Sequence, residues 1–191
     1  MNTKSIMIVG VGGQGSLLAS RMMGNVLLAQ GYDVKVSEVH GMSQRGGSVV
    51  TYVKYGDKVA SPIIDKGEAD LIISFEQLEA ARWIPYLKKD GKIVVSTQKT
   101  NPMPVIIGAA TYPENIIDKI KAQGINIIPV DALDVAEQLG NAKASNVVLM
   151  GVVSKLLDFE EKYWQNAIKE CVPAKFLELN QKAFENGKNL L

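Results

Sequence analysis

The stretch Ser5–Gly15 (SIMIVGVGGQG) decides the fold. Its first part, Ser5–Gly10, is a short apolar run, which is typical of a buried strand. Its second part has the spacing Gly-x-Gly-x-x-Gly, and apolar residues then recur every four positions in a helical stripe over Gly15–Gln30. A glycine turn between a strand and a helix can bring unpaired N–H groups close to an anionic ligand. The candidate contact residues in this loop are Gly10, Gly12, Gly13, Gln14 and Gly15.

A second glycine-rich loop follows the next predicted strand, Asp33–Val39. Its candidate contact residues are His40, Gln44, Arg45, Gly46 and Gly47. Because the carboxyl ends of parallel strands meet at one edge of a sheet, we expect the two loops to lie side by side. Clustered N–H groups with an arginine favour an anionic ligand or a partner surface. The alternatives are a tight turn with Arg45 in a structural ion pair, and a hydrogen bond from His40 to the loop backbone.

The rest of the chain alternates strands with helices, which predicts an α/β fold with a Rossmann-like, mainly parallel sheet. An added β-hairpin is predicted from Ser48–Lys54 and Lys58–Ala60, with Gly56-Asp57 as its turn. Further strands are predicted at Asp70–Phe75, Lys92–Ser96, Val105–Ala110 and Ile125–Val130, with helices over Glu76–Leu87 and from a Thr111–Glu114 capping box to Gln123.

The C-terminal third is predicted to be helical from Asp131 onward and to pack on the sheet or on a partner. Within it, Asn146–Leu157 is strongly apolar, Asp158 is expected to cap the next helix, and Gly187 is expected to end the last one. If a partner covers this region, a helix face there should be apolar and exposed. The length of 191 residues suits a single domain over residues 1–191.

Composition excludes several function classes. Lys plus Arg is 21 and Asp plus Glu is 20, and this balance argues against a surface that binds nucleic acid. No apolar run approaches the roughly 18 residues of a membrane span. Cys171 is the only cysteine and His40 the only histidine, so this chain alone cannot build a four-cysteine iron–sulfur site or a multi-histidine metal site. We therefore expect no metal ligands here, and a reducing, cytoplasmic compartment.

No catalytic set can be identified from spacing: the sequence offers neither a nucleophile–histidine–acid arrangement nor a paired-carboxylate motif. One alternative is a dehydrogenase that binds a nicotinamide dinucleotide, with Glu38 on the ribose at the end of the second strand. Another is a nucleotide-sensing module without chemistry. The first predicts tight binding of NAD by the isolated chain, and the second predicts ligand binding without a redox partner.

The two glycine loops also carry a family resemblance. Gly10–Gly15 (GVGGQG) together with Ser37–Gly47 (SEVHGMSQRGG) resembles the gamma domain of 2-oxoacid:ferredoxin oxidoreductases, and within it the indolepyruvate:ferredoxin oxidoreductase beta-subunit type. Ser43 stands where the family more often has alanine. Further matching segments are Ser61-Pro62, Gly67–Asp70, Glu79–Arg82, Asn146–Leu149, Glu178–Asn180 and Lys182–Glu185, so the resemblance spans nearly the whole chain.

The resemblance implies a subunit that is inactive alone. A larger alpha subunit would hold thiamine diphosphate and iron–sulfur clusters, and electrons would pass through the complex to ferredoxin. The reaction implied is the coenzyme A-dependent oxidative decarboxylation of arylpyruvates, with pyruvate, 2-oxoglutarate or branched-chain oxoacids as alternative substrates. The two glycine loops would face the partner's active site and contact coenzyme A or a diphosphate.

Overall fold

The computed structural model describes residues 3–40 and 46–191, with His40 described in its backbone alone. Its strands are β1 (Lys4–Val11), β2 (Asp33–His40), β3 (Ser48–Gly56), β4 (Ala69–Ser74), β5 (Leu87–Ser96) and β6 (Asn126–Val130). They form one sheet in the order β2-β3-β1-β4-β5-β6. In it β3 is antiparallel to both neighbours, β2 and β1, and the strands β1, β4, β5 and β6 are parallel to one another. The predicted α/β fold with a mainly parallel sheet is confirmed.

Helices cover both faces of the sheet. They are α1 (Ser16–Ala29), α2 (Gln77–Trp83), α3 (Met103–Ile106), α4 (Ile116–Ala122), α5 (Ala132–Gln138), α6 (Ser145–Leu157), α7 (Glu161–Cys171) and α8 (Leu177–Lys188). Ile6 and Ile8 of β1 face the core under α1 and α5–α8, while Met7 and Val9 face the core under α2 and α4. Because alternate residues of a strand point to opposite faces, a strand covered on both sides must be apolar throughout.

The predicted hairpin is wrong in its second arm. Residues 48–54 do belong to an antiparallel strand, but β3 pairs with β2 and β1, and residues 58–60 form no strand. The N–H of Val59 donates to Oδ2 of Asp33 at 2.8 Å. This backbone N–H is therefore bonded to a side chain and not to a neighbouring strand. The hairpin is formed by β2 and β3, with the second glycine loop between them.

The segment after β5 also differs from prediction. Val105–Ala110 is not a strand: Val105 and Ile106 belong to the short helix α3, whose start at Pro102 and Pro104 suits proline because the first N–H groups of a helix need no partner within it. The predicted capping box is wrong as well: α4 begins at Ile116, after Asn115 in a left-handed conformation. The helix predicted over Glu76–Leu87 ends at Trp83, and β5 already begins at Leu87.

The C-terminal helices pack on the sheet and on one another. α6 is the most buried of the described helices, and Val147, Leu149 and Met150 are fully buried within it. Asp158 ends α6 with a φ of 50° and does not cap α7, which follows Glu160. Gly187 lies inside α8 rather than after it. Among the described residues, no helix has both the length and the apolar character required to cross a membrane.

Candidate functional site

The loop between β1 and α1 lies at the carboxyl edge of the sheet and leaves the start of α1 uncapped. Gly15 precedes the helix with a φ of 87°, no side chain caps the helix, and its first turn carries no acidic residue. The first N–H groups of a helix have no partner within the helix, and they carry partial positive charge. An anion from another molecule would complete this helix end.

Gly13 makes the surface of this loop bare. It is exposed, has a φ of 105°, and a Cβ built on it would meet no atom within 4 Å. That conformation is costly for any residue with a side chain, so glycine is required by the backbone rather than by packing. The open space beside Gly13 lets another molecule approach the main chain directly.

Gln14 fixes the loop in place. Its Oε1 accepts a hydrogen bond from the N–H of Val11 at 2.7 Å, and its Nε2 donates to the carbonyl of Phe75 at 3.1 Å and to Oε1 of Gln98 at 3.3 Å. The side chain thus joins the ends of β1, β4 and β5. Because its amide is already hydrogen-bonded within the chain, Gln14 holds the neighbouring glycines in position.

The two predicted glycine loops meet, as their positions at one sheet edge required. The N–H of Gly12 donates to the carbonyl of Gly47 at 2.8 Å, and the N–H of Gly46 donates to the carbonyl of Gly12 at 3.3 Å. His40 is the last residue of β2, and its backbone is paired with Val49. Gln44 and Arg45 lie outside the described residues, so their predicted roles are neither supported nor opposed by the geometry.

The first glycine loop separates two open clefts. The α6 cleft, of about 430 Å³, lies between this loop and the start of α6, and includes Gln98, Lys143 and Asn146. The β2 cleft, of about 390 Å³, lies on the other side and includes Leu17, Glu38 and Val49. Gly13 and Gly15 line both clefts. A ligand in either cleft would therefore touch the same backbone.

Asn146 is a site residue that sequence analysis did not single out for function. It is 4% exposed, and its Nδ2 donates to the carbonyl of Gly15 at 3.4 Å. Its Oδ1 is buried without a hydrogen-bond partner among the described residues. A Cβ on Gly15 would lie 2.1 Å from Nδ2, so the two residues fit only when position 15 is glycine. The available signals were a polar residue near the start of an otherwise apolar helix and the place of Asn146 in a segment that matches the family.

Two buried glutamates support the same edge, and spacing gave no sign of them. Glu76 caps α2 by accepting from the N–H of Glu79 at 2.9 Å. Glu79, 4% exposed, accepts from the Ser48 hydroxyl and from Nε1 of Trp83 at 3.4 Å. Ser48 directly follows Gly47, so Glu79 anchors the point where the second glycine loop enters β3.

Titration and metal-ligand chemistry add no reactive group in the described residues. Burial, together with the nearby Glu170, raises the pKa of the Cys171 thiol, which opposes nucleophilic or ligand chemistry. Burial and the hydrogen bond to Glu76 raise the pKa of Tyr112, which stays protonated. Within residues 3–40 and 46–191, no group of three or more His, Cys, Asp or Glu side chains could hold a metal ion.

The strand order argues against a nicotinamide dinucleotide domain. In that fold the second strand lies beside the first, and its terminal acid reaches the ribose. Here β3 lies between β1 and β2, which places Glu38 two strands, or roughly 10 Å, from β1. Glu38 also accepts a hydrogen bond from the Thr51 hydroxyl at 3.4 Å across the ladder.

Comparisons with known proteins agree with this geometry. Residues 5–190 match the family model described as pyruvate ferredoxin/flavodoxin oxidoreductase. A Thermococcus kodakarensis protein named indolepyruvate oxidoreductase subunit IorB is 41% identical, with 98% of this chain and 95% of that protein covered. From the same organism, the pyruvate/ketoisovalerate oxidoreductases common subunit gamma is 25% identical, with coverage of 94% and 92%.

Among solved structures, a 2-oxoglutarate:ferredoxin oxidoreductase from Magnetococcus marinus, with 2-oxoglutarate, coenzyme A and succinyl-CoA bound, has the same fold. Its TM-score is 0.77 at 17% identity, and the match covers 100% of this chain and 31% of that one. The glycine loops, the sheet order and a family match over almost every residue lead to one conclusion. This chain belongs to the pyruvate ferredoxin/flavodoxin oxidoreductase family.

Proposed function

We propose that this chain is the beta-type subunit of an indolepyruvate:ferredoxin oxidoreductase. The observation that carries the proposal is the contrast between two Thermococcus kodakarensis proteins: 41% identity to the indolepyruvate oxidoreductase subunit and 25% to the pyruvate/ketoisovalerate subunit. In the proposed reaction an arylpyruvate and coenzyme A give an arylacetyl-CoA and carbon dioxide. The electron pair left by decarboxylation reduces ferredoxin, and the thiol proton is released.

The chemistry is proposed to take place in a complex. One cysteine cannot ligate an iron–sulfur cluster by itself, and the thiol of Cys171 has a raised pKa. The thiamine diphosphate and the clusters are therefore assigned to a larger alpha subunit, which would also reduce ferredoxin. This chain, inactive alone, would complete the partner's active site with the carboxyl edge of its sheet.

The first glycine loop is proposed to contact an anionic group, either the phosphates of coenzyme A or the diphosphate of the partner's thiamine. Support comes from the uncapped start of α1 and from the open space beside Gly13. Gly46 and Gly47 are hydrogen-bonded to Gly12, and Arg45, which precedes them in the sequence, is proposed to contribute its guanidinium to the same site. A guanidinium suits phosphate because it offers two parallel donors.

The function is tested by anaerobic purification of the tagged chain from its native cells, followed by a dye-reduction assay. We expect a larger, brown, cysteine-rich partner, and activity that needs both indolepyruvate and coenzyme A. The assay is repeated with pyruvate, 2-oxoglutarate and 2-oxoisovalerate at equal concentration. A preference for one of these would assign the complex to another 2-oxoacid. A colourless chain that retains NAD would support the dehydrogenase instead.

Replacing Arg45 tests the role of the second loop. In the purified complex, Arg45→Ala should raise KM for coenzyme A by about tenfold, which corresponds to the loss of one charged contact of ~1.4 kcal/mol. Arg21→Ala, on the exposed side of α1, is the matched control and should leave KM unchanged. An unchanged coenzyme A dependence and unchanged assembly in Arg45→Ala would refute the proposed contact.

A further inference from the structure

The segment between β5 and α4 forms an apolar arm, defined here as residues 101–111. The side chains of Met103, Ile106 and Ile107 are 65%, 64% and 69% exposed, and these are the highest values among the large hydrophobic residues described as exposed. No charged residue occurs from Thr100 to Pro113. A contiguous uncharged surface of this kind is typical of a protein–protein contact.

The arm is held at its base by one buried carboxylate. Oε1 of Glu76 accepts hydrogen bonds from the N–H of Thr100 at 3.2 Å and from the hydroxyl of Tyr112. A single oxygen therefore joins the residues that flank the arm on its two sides. Glu76 is 1% exposed, and its other oxygen caps α2. Burial strengthens these hydrogen bonds because little water competes for the carboxylate.

The tip of the arm is ordered by its own backbone. The N–H of Ile107 donates to the carbonyl of Met103 at 3.0 Å, and the N–H groups of Ala109 and Ala110 donate to the carbonyl of Pro104 at 2.8 and 3.0 Å. The backbone therefore holds the apolar side chains outward instead of letting them fold back onto the sheet. A preorganised tip loses little conformational entropy on binding.

The position of the arm indicates which molecule covers it. Gln98 lies between β5 and the arm, and it accepts a hydrogen bond from Gln14 of the first glycine loop. The arm therefore begins at the same edge of the sheet as the glycine loops. A partner that faces those loops is within reach of the arm. In the Magnetococcus marinus oxidoreductase this fold makes up 31% of a longer chain, so there further polypeptide of the enzyme is covalently joined to it.

We propose that the arm is a docking element that inserts Met103, Ile106 and Ile107 into an apolar groove of the larger subunit of the same complex. This inference rests on the proposed function, which supplies the partner. It goes beyond that function by assigning binding energy to residues that belong to neither glycine loop. Hydrophobic anchors of this kind dominate binding energy when a groove excludes water around them.

The test uses the triple variant Met103→Gln/Ile106→Gln/Ile107→Asn and anaerobic titration against the purified larger subunit. We expect Kd to rise by about a hundredfold or more, since several anchors are lost, while the unfolding temperature of the isolated chain stays the same. Leu28→Gln is the matched control, because Leu28 is 58% exposed on α1 and lies away from the arm. Its Kd should equal that of the original chain.

The outcomes separate the two proposals. If the original chain binds the larger subunit and restores activity, but the triple variant binds within about twofold, the docking arm is refuted and the function stands. If the original chain binds no thiamine-bearing subunit, the function fails and the arm assignment falls with it. If sedimentation shows that the isolated chain dimerises and the triple variant does not, the arm serves self-association and the proposal is overturned.

Discussion

The contact between α6 and α8 and the loop between β1 and α1 both require glycine, but for opposite reasons. A Cβ on Gly187 would lie 1.9 Å from the carbonyl oxygen of Val148, and one on Gly151 would lie 2.1 Å from that of Phe184. A Cβ on Gly13 would meet nothing within 4 Å. Between α6 and α8, backbone atoms of the facing helix occupy the space that a side chain would need. In the loop, that space stays open for a different molecule.

Gly187→Ala should have the largest effect on stability. The added methyl group would meet main-chain atoms of α6, which cannot rotate away as a side chain can, so the two helices must separate. We expect a loss of about 3 kcal/mol or more in the free energy of unfolding, measured by urea denaturation of the isolated chain.

Gly24→Ala is the matched control for this helix-packing effect. Gly24 lies inside α1, and a Cβ built on it would meet no atom within 4 Å. Alanine should therefore stabilise the chain by about 0.5–1 kcal/mol through its higher helix propensity. If Gly187→Ala and Gly24→Ala had equal effects, the close backbone contact between α6 and α8 would be wrong.

Gly15→Ala should show an intermediate effect, because Gly15 shares features of both regions. Its φ of 87° strains any side chain, and the Cβ would meet Nδ2 of Asn146, a side chain that can move. We expect a loss of about 2 kcal/mol in unfolding free energy.

Gly15→Ala/Asn146→Ala separates the two causes. Removal of the amide relieves the contact but leaves the backbone strain, so the double variant should be less destabilised than the sum of the two single variants. Strict additivity of the three unfolding free energies would show that the two side chains do not meet.

Among the destabilising variants, Asp70→Asn should have the smallest effect, and it concerns the opposite edge of the sheet. Burial would raise the pKa of Asp70, but Lys88, the N–H of Ser5 and Lys4 together lower the pKa below its ordinary value of 3.8. Such a carboxylate stabilises the fold above that ordinary value, and the contribution is lost as the pH falls through the lowered pKa.

We therefore expect Asp70→Asn to cost about 1 kcal/mol near neutral pH and to flatten the fall in stability as the pH drops below about 4. Unfolding free energies across that range provide the measurement. Activity of the assembled complex should be unchanged, because Asp70 lies at the far edge from the glycine loops. An undiminished acid dependence in the variant would show that other carboxylates control it.

The sequence predicts features that depend on neighbouring residues. The strand predicted from Ser5–Gly10 and the glycine turn that leads from it into a helix are local patterns, and the structure confirms both. The two glycine loops were expected at one edge of the sheet, but the hydrogen bonds that join them extend the antiparallel pairing of β1 with β3, which the local pattern did not predict.

Features that depend on contacts distant in sequence were not predictable. Val59 is kept out of a strand by Asp33, 26 positions earlier. The apolar run at 105–110 was interpreted as a strand because periodicity alone cannot show that Glu76 closes a loop around it. Asn146 becomes a site residue only because the fold brings it to Gly15, 131 positions away. The exposed apolar helix face expected in the C-terminal third is not found on α6, which is buried, and the most exposed large apolar side chains lie instead on the loop after β5.

If the carboxyl edge of this chain completes the active site of a larger subunit, as proposed, that subunit should be inactive without it. Reconstitution tests the claim directly: the larger subunit is stripped of this chain, and indolepyruvate-dependent, coenzyme A-dependent dye reduction is measured as the chain is added back. We expect negligible activity without the chain and saturable recovery at a one-to-one ratio. Full activity of the larger subunit alone, or indolepyruvate oxidation by this chain alone, would contradict it.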